Sequence, residues 1–263
     1  LPLTYDDFDP QMEQAIEFLR SGEESERRRV VDELGRSGRP EAIVPLLIAV
    51  TDESWPVRQA AVERLAVLDP DTLLPQLEQA LRDDEDAALR NAAMEIYVKV
   101  GPAAVPALLA LLRDDDEEIR NFAAVMLGAR REGRAVPPLV GALADPDVNV
   151  RHAAAASLGQ IGSPDAVPAL LGILRAEPWL QFPAIHALGE IGDPRAAAAL
   201  LELLDDEMLR GPVMEALGRL AGREALPRLL PHLSAADPAL RNAAIQAVVA
   251  IEQRATAEGE SLD

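Results

Sequence analysis

Apolar residues along this chain fall at helical spacing in paired blocks. In "VRHAAAASLGQIGSPDAVPALLGILRAE", residues 150–177, Val150, Ala154, Leu158 and Ile161 recur at helical spacing, and Ala166, Leu170, Leu171 and Leu174 form a second amphipathic stretch. Between them stand Gly162, Ser163 and Pro164. The glycine suits the left-handed position that closes a helix and the proline prevents continuation, so the block is predicted to be a pair of antiparallel helices.

The block recurs. Copies aligned on Arg27, Arg58, Arg90, Arg120, Arg151, Gln181, Arg210 and Arg241 start at intervals of 31, 32, 30, 31, 30, 29 and 31 residues. Asp145-Pro146, Glu177-Pro178, Asp237-Pro238 and the run Asp114-Asp115-Asp116 stand between copies, where an acid before a first-turn proline predicts an N-cap. "MEQAIEFLR", residues 12–20, reads as an N-terminal half-repeat or cap, and the last copy has only its first helix, to about Arg254, before the polar "ATAEGESLD". The chain thus divides into an N-terminal segment and capping helix (1–26), a repeat array (27–254) and a polar C-terminal tail (255–263).

A two-helix unit cannot bury both its faces alone, so the copies are expected to stack into one continuous core. The predicted fold is all-α: a right-handed α-solenoid, an arc on the order of 70 Å at a helix spacing of roughly 8–10 Å. First helices are expected on the outer, convex side and second helices on the inner, concave side.

Composition agrees with this picture. Hydrophobic residues make up 49% of the chain but aromatics only 3%, so its core must be built of Ala, Leu and Val. Forty-five acidic residues against 25 basic ones give a net charge of −20, a field that repels phosphate backbones and disfavours nucleic acid. With no cysteine there is no thiolate nucleophile or disulfide framework. Neither a membrane-spanning apolar run nor a signal peptide is read from the sequence, so a cytoplasmic location is expected. Beginning at Leu1 rather than Met, the chain reads as a processed form or an excised fragment.

The signature "R..A...LG..G.P.A...L...L.D" resembles HEAT repeats, specifically the short bacterial form also found in phycobilin lyase subunits, over about residues 27–254. The resemblance implies that Arg58, Arg90, Arg120, Arg151, Arg210 and Arg241 form a structural ladder with inter-repeat aspartates. It implies a non-catalytic scaffold or regulatory adaptor for a protein partner; the alternative is a chromophore lyase subunit.

Candidate chemistry is sparse. His152 and His186 fall on first helices and His232 on a second, and His186 with Glu190 is the only His–carboxylate pair one turn apart. The chain has no His-Glu dipeptide of the kind that HEAT-like deoxyhypusine hydroxylases place around a di-iron centre, and no metal or cofactor is implied. The inner row, Ala107, Ala110, Leu111, Pro138, Gly141, Ala142, Ala169, Gly172 and Ile173, is small and apolar, unlike the basic groove of HEAT-like DNA glycosylases. Two readings stay open for it: a seat for an apolar helix, or positions buried by curvature.

The sixth copy departs from the others. Gln181 replaces the arginine, and rows that are polar elsewhere hold Trp179, Phe182 and His186, bordered by His152 and Met208. Pro183, repeated by Pro212 one copy on, should kink the helix or delay its start. In one reading Trp179 tucks into the resulting gap. In the other, the aromatics form an outward patch for a protein partner or a second copy of the chain.

Overall fold

A computed structural model describes residues 10–257 and Gly259. The fifth copy shows how each hairpin is built. Asp147 accepts hydrogen bonds from the amides of Asn149 (2.8 Å) and Val150 (3.0 Å) and so starts α10 (Val148–Ile161). The Asp-Pro reading put this cap two residues too early: Asp145 accepts instead from the Asp147 amide at 2.9 Å, and Pro146 lies outside the helix. Gly162, at φ 75° and ψ 18°, ends α10 in a conformation that strains any side chain. A 3-10 turn over Pro164–Ala166 then leads into α11 (Val167–Ala176).

The chain forms two compact units, divided between Leu111 and Leu112. The first holds α1 (Pro10–Ser21), α2 (Glu24–Ser37), α3 (Ile43–Ala49), α4 (Trp55–Leu65), α5 (Pro70–Leu81), α6 (Ala87–Val100) and α7 (Val105–Leu111). In it α2, α4 and α6 pack in sequence, and α1 closes against α2 and α3. The second unit holds α8 (Glu117–Ala129), α9 (Val136–Ala142), α10, α11, α12 (Gln181–Ile191), α13 (Ala197–Glu202), α14 (Arg210–Leu220), α15 (Leu226–Leu229) and α16 (Pro238–Ala257). Here the first helices α8, α10, α12, α14 and α16 pack side by side, with α9, α11, α13 and α15 each against the first helix that follows. The architecture is an all-helical solenoid of stacked helix pairs with no strand among the described residues.

Small residues set the spacing of the first helices. A Cβ on Gly159 would lie 2.7 Å from Ala187 Cα, so α10 and α12 meet backbone to backbone. Gly189 with Ala216, and Gly218 with Ala247, repeat the contact at 3.0 and 2.9 Å. This is the physical meaning of the Leu-Gly pair in the fifth, sixth and seventh copies. Around it Ala154, Leu158, Leu170, Leu174, Ala184 and Leu188 are buried, an alanine and leucine core.

The repeat arginines act first on backbone. Arg58 Nη1 donates to the carbonyls of Asp52 (2.6 Å) and Glu53 (2.9 Å), Arg120 to those of Asp114 (2.9 Å) and Asp115 (3.0 Å), and Arg151 to those of Asp145 (2.7 Å) and Pro146 (3.2 Å). Arg90 holds the Asp83 carbonyl, Arg210 those of Leu204 and Asp205, and Arg241 that of Ala235. Each arginine thus satisfies carbonyls left open where the preceding second helix ends. The aspartate pairing implied by the resemblance is narrower. Arg120 pairs with Asp145 and Arg27 with Asp52, both at 2.8 Å, whereas Arg151 only approaches Glu177 at 4.0 Å. Arg58, Arg90, Arg210 and Arg241 hold backbone instead.

Gln181 does the same work with a shorter arm: its Nε2 donates to the Leu174 carbonyl at 3.2 Å. Gln181→Ala is therefore expected to cost about 1 kcal/mol, read as a lower urea midpoint at unchanged m-value. An unchanged midpoint would mean that the Leu174 carbonyl needs no protein donor.

Two boundaries differ from expectation. The stretch 87–111 has the length and mean hydropathy, 1.4, of a membrane span, although no such run is read from the sequence. It is a hairpin rather than one helix, because Gly101, at φ 87°, turns the chain between α6 and α7. At the other end α16 runs to Ala257 with Ala255 buried, so helix enters the segment read as a polar tail.

Candidate partner-binding surface on the first helices

The sixth copy solves its proline problem by starting late. Pro178–Leu180 makes a 3-10 turn, and α12 begins at Gln181, whereas α10 begins three residues before Arg151. Pro183 then lies in the first turn of α12, where its missing amide has no intrahelical partner to lose. The cost of about 3 kcal/mol for an interior proline does not arise. Pro212 is likewise the third residue of α14.

This late start decides between the two readings of Trp179. The indole sits on the 3-10 turn and is 85% exposed, so it fills no gap, and the reading in which it tucks inward is overturned. Phe182 is 47% exposed, and His186, four residues on, is exposed on the same face of α12. The three residues are therefore not one continuous helical stripe. Trp179 stands on the turn and the other two on the helix it introduces.

The side-by-side packing of α10, α12 and α14 brings in the neighbours. Met208 is the counterpart of Trp179 one copy on and is 75% exposed. The counterpart of Phe182 one copy on is Gly211, which adds no side chain. One copy back it is His152, exposed on the lining of a shallow cavity between α8 and α10 with Glu117, Glu118 and Asp147. Exposed Glu190 lies on α12, Glu207 on the turn that carries Met208, and Glu215 on α14. Trp179, Phe182 and Met208 are thus uncharged, with acids on α12, on α14 and on the turn before α14. Such an arrangement suits a partner offering an apolar centre and basic residues around it.

The inner row is less uniform than the sequence suggests. In the first unit Ala107 is half-buried and Ala110 exposed, but Leu111 is buried, one turn from Leu108 on the core face of α7. Its placement on the inner row is corrected. In the second unit Pro138, Ala142, Ala169 and Ile173 are half-buried, while a Cβ on Gly141 or Gly172 would meet open space.

The histidines do not converge. His152 and His186 lie on the first helices of adjacent copies, and His232 on a 3-10 turn after α15. Burial, reinforced by the nearby Arg210 and Arg228, holds the His232 imidazole below its usual pKa. Among the described residues no cluster of three His, Cys, Asp or Glu side chains is placed to hold a metal. Two exposed aromatics went unread in the sequence, Phe18 on α1 and, more fully exposed, Trp55 at the start of α4. The signal for Trp55 was its place beside Pro56 at the entry to a first helix.

The HEAT repeats profile matches residues 12–96 and 105–181, and the PBS lyase HEAT-like repeat profile matches residues 184–206. None of the curated proteins matches the sequence. Among solved structures, YibA of Escherichia coli is similar over 96% of this chain and 93% of its own, at 19% identity and a TM-score of 0.53. The karyopherin Kap121p, bound to the extreme C-terminus of the phosphatase Cdc14p, is similar over 94% of this chain and 34% of its own, at 15% identity and a TM-score of 0.57. The complex of CpcE and CpcF of phycocyanin lyase from Nostoc sp. covers 95% and 99% at 23% identity, with a TM-score of 0.39. The first two likenesses show fold, and the last value is too low to support an argument.

Proposed function

Since the chain belongs to the HEAT-repeat family, we propose that it is a non-catalytic protein-interaction scaffold that grips a protein partner through Trp179, Phe182 and Met208. One observation carries this reading. Three large apolar side chains stand exposed at the entries to adjacent first helices, Trp179 and Met208 on the turns before α12 and α14 and Phe182 on α12, in rows that hold Glu118, Asn149, Asn121 and Asn242 in other copies. Exposing them brings no folding benefit, and a chain with twenty excess negative charges has ample means of keeping that surface polar. The structurally similar karyopherin Kap121p is bound to the extreme C-terminus of a protein, and the proposal gives this chain the same kind of task through its own surface.

The test is Phe182→Asn, which restores the residue of the third, fourth and eighth copies. A protein retained from native extract by the unaltered chain should bind the variant about 30-fold more weakly, a loss of about 2 kcal/mol, with the melting temperature unchanged or slightly raised. A melting temperature lowered by several degrees would make Phe182 a packing residue and remove the patch. Transfer of a bilin from the chain to an acceptor protein would instead place it with the chromophore lyases.

A further inference from the structure

Two kinds of occupant suit Trp179, Phe182 and Met208, another protein or a second copy of this chain, and the charges around them choose between the two. On the first helices of the first unit, acids are answered within the chain. Asp32 pairs with Arg28 (3.6 Å) and Arg64 (2.9 Å), Glu33 with Arg29 (3.8 Å), and Glu95 with Lys99 (3.6 Å). Around the apolar patch they are not. Glu190 on α12, Glu207 beside Met208 and Glu215 on α14 are exposed and have no ion pair among the described residues. Nor have Glu117 and Glu118, exposed in the first turn of α8.

These acids flank the patch on two sides. Along α12, Phe182, His186 and Glu190 follow one another at one-turn intervals, and Glu215 stands one turn beyond Gly211, the counterpart of Phe182 on α14. On the other side Glu117 and Glu118 line, with Asp147 and Asn121, a cavity of about 400 Å3 whose α10 wall carries His152. The arginines of these helices do not offset them. Arg120, Arg151 and Arg210 are turned to backbone carbonyls, and α8, α10, α12 and α14 hold one further arginine, Arg219 in the last turn of α14.

A second copy of this chain would bring a net charge of −20, and in a two-fold pair the same unanswered glutamates would face each other. Nucleic acid and an anionic membrane surface meet the same repulsion. We propose, resting on the reading that this surface binds a protein, that what covers it is a basic segment of another polypeptide. Its centre is apolar and lies over Trp179, Phe182 and Met208, and arginine or lysine stands on both sides, facing Glu117 and Glu118 at one end and Glu207 and Glu215 at the other. First helices packed roughly 8–10 Å apart put α8 and α14 about 24–30 Å apart, which about eight residues of extended chain would cross.

Trp179 reports the test. With Trp55→Phe it is the sole indole of the chain, and the synthetic peptide Gly-Arg-Arg-Ser-Leu-Phe-Ser-Arg-Arg-Gly should shift its emission to shorter wavelength with a dissociation constant on the order of 10–100 µM. The same peptide with every arginine replaced by glutamate, or by serine, should bind about tenfold more weakly or worse. Glu207→Lys combined with Glu215→Lys should weaken the arginine peptide about tenfold at an unchanged melting temperature. Asp84→Lys combined with Glu85→Lys makes the same change in net charge on exposed acids of the first unit, and should alter binding less than about twofold. Glutamate or serine peptides that bind as tightly as the arginine peptide, and are lost in Phe182→Asn, would overturn this inference and leave the patch as a binding surface. An arginine peptide held as tightly by Phe182→Asn would remove the patch and this inference with it. Equal losses in the two lysine pairs, or no emission shift at about 1 mM arginine peptide, would also overturn it. So would a sedimenting mass of twice the 28.2 kDa chain that Phe182→Asn returns to the single-chain value, which would give the face to a second copy.

Discussion

Gly159→Ala and Gly172→Ala are expected to move stability in opposite directions, although both glycines lie inside helices. In a helix interior, alanine is worth roughly 0.5–1 kcal/mol over glycine because it restricts the unfolded chain. Gly172 on α11 faces open space, so its substitution should realise that gain. Gly159 cannot, because its new Cβ would lie 2.7 Å from Ala187 Cα and 3.0 Å from Ala187 Cβ. The obstruction is backbone and cannot rotate away, so α12 must back off from α10. Overpacking of this kind costs about 1–3 kcal/mol, and Gly159→Val should reach or pass the upper end. Urea midpoints of the two alanine variants decide the matter. If Gly159→Ala is stabilised like Gly172→Ala, the close helix approach is not what that glycine serves.

Arg120→Ala should be far more damaging than Arg151→Ala, at about 3 kcal/mol against about 1 kcal/mol. Both arginines hold two backbone carbonyls, but Arg120 Nε and Nη2 also grip both oxygens of the largely buried Asp145, at 2.8 and 2.9 Å. Removing Arg120 leaves a carboxylate without its partner. The pair has a signature in pH. Hydrogen bonding to Arg120 holds Asp145 below the usual carboxylate range, despite the opposing effect of burial. A group depressed in the folded state stabilises above its unfolded pKa, near 3.9 for aspartate, and that stability is lost as pH falls through the folded value. The unaltered chain should therefore lose stability more steeply than Arg120→Ala as the solution is acidified below about pH 4. Parallel acid titrations of the two, followed by helical circular dichroism, would remove Arg120 from this role.

Much of the fold was legible in the sequence because the repeat states its own rules eight times. Gly162 and Gly192 mark helix ends wherever they occur, and the apolar spacing of Val150, Ala154 and Leu158 survives in copy after copy. What escaped depends on geometry that periodicity does not carry. Asp145 and Asp147 both suit an N-cap, and only the path of the chain assigns capping to the second and the ion pair to the first. The arginines act on carbonyls, which every residue possesses, so no residue type betrays that contact. A delayed helix was anticipated from Pro183, but the direction of Trp179 follows from the 3-10 turn before it, a local conformation that the row comparison could not supply.

The contacts of Gly159 with Ala187, Gly189 with Ala216 and Gly218 with Ala247 have a mechanical consequence. Backbone in contact with backbone is a stiff link, since no side chain between the two can change rotamer to take up strain. The first-helix row of the second unit is in that sense an inextensible cord. The second helices show no counterpart to these contacts: a Cβ on Gly141 of α9 or Gly172 of α11 meets open space. A load applied to this unit should therefore stretch the second-helix side while the other keeps its length. Trp179, Phe182 and Met208 ride on the cord, so their mutual spacing should hold while the helices behind them flex.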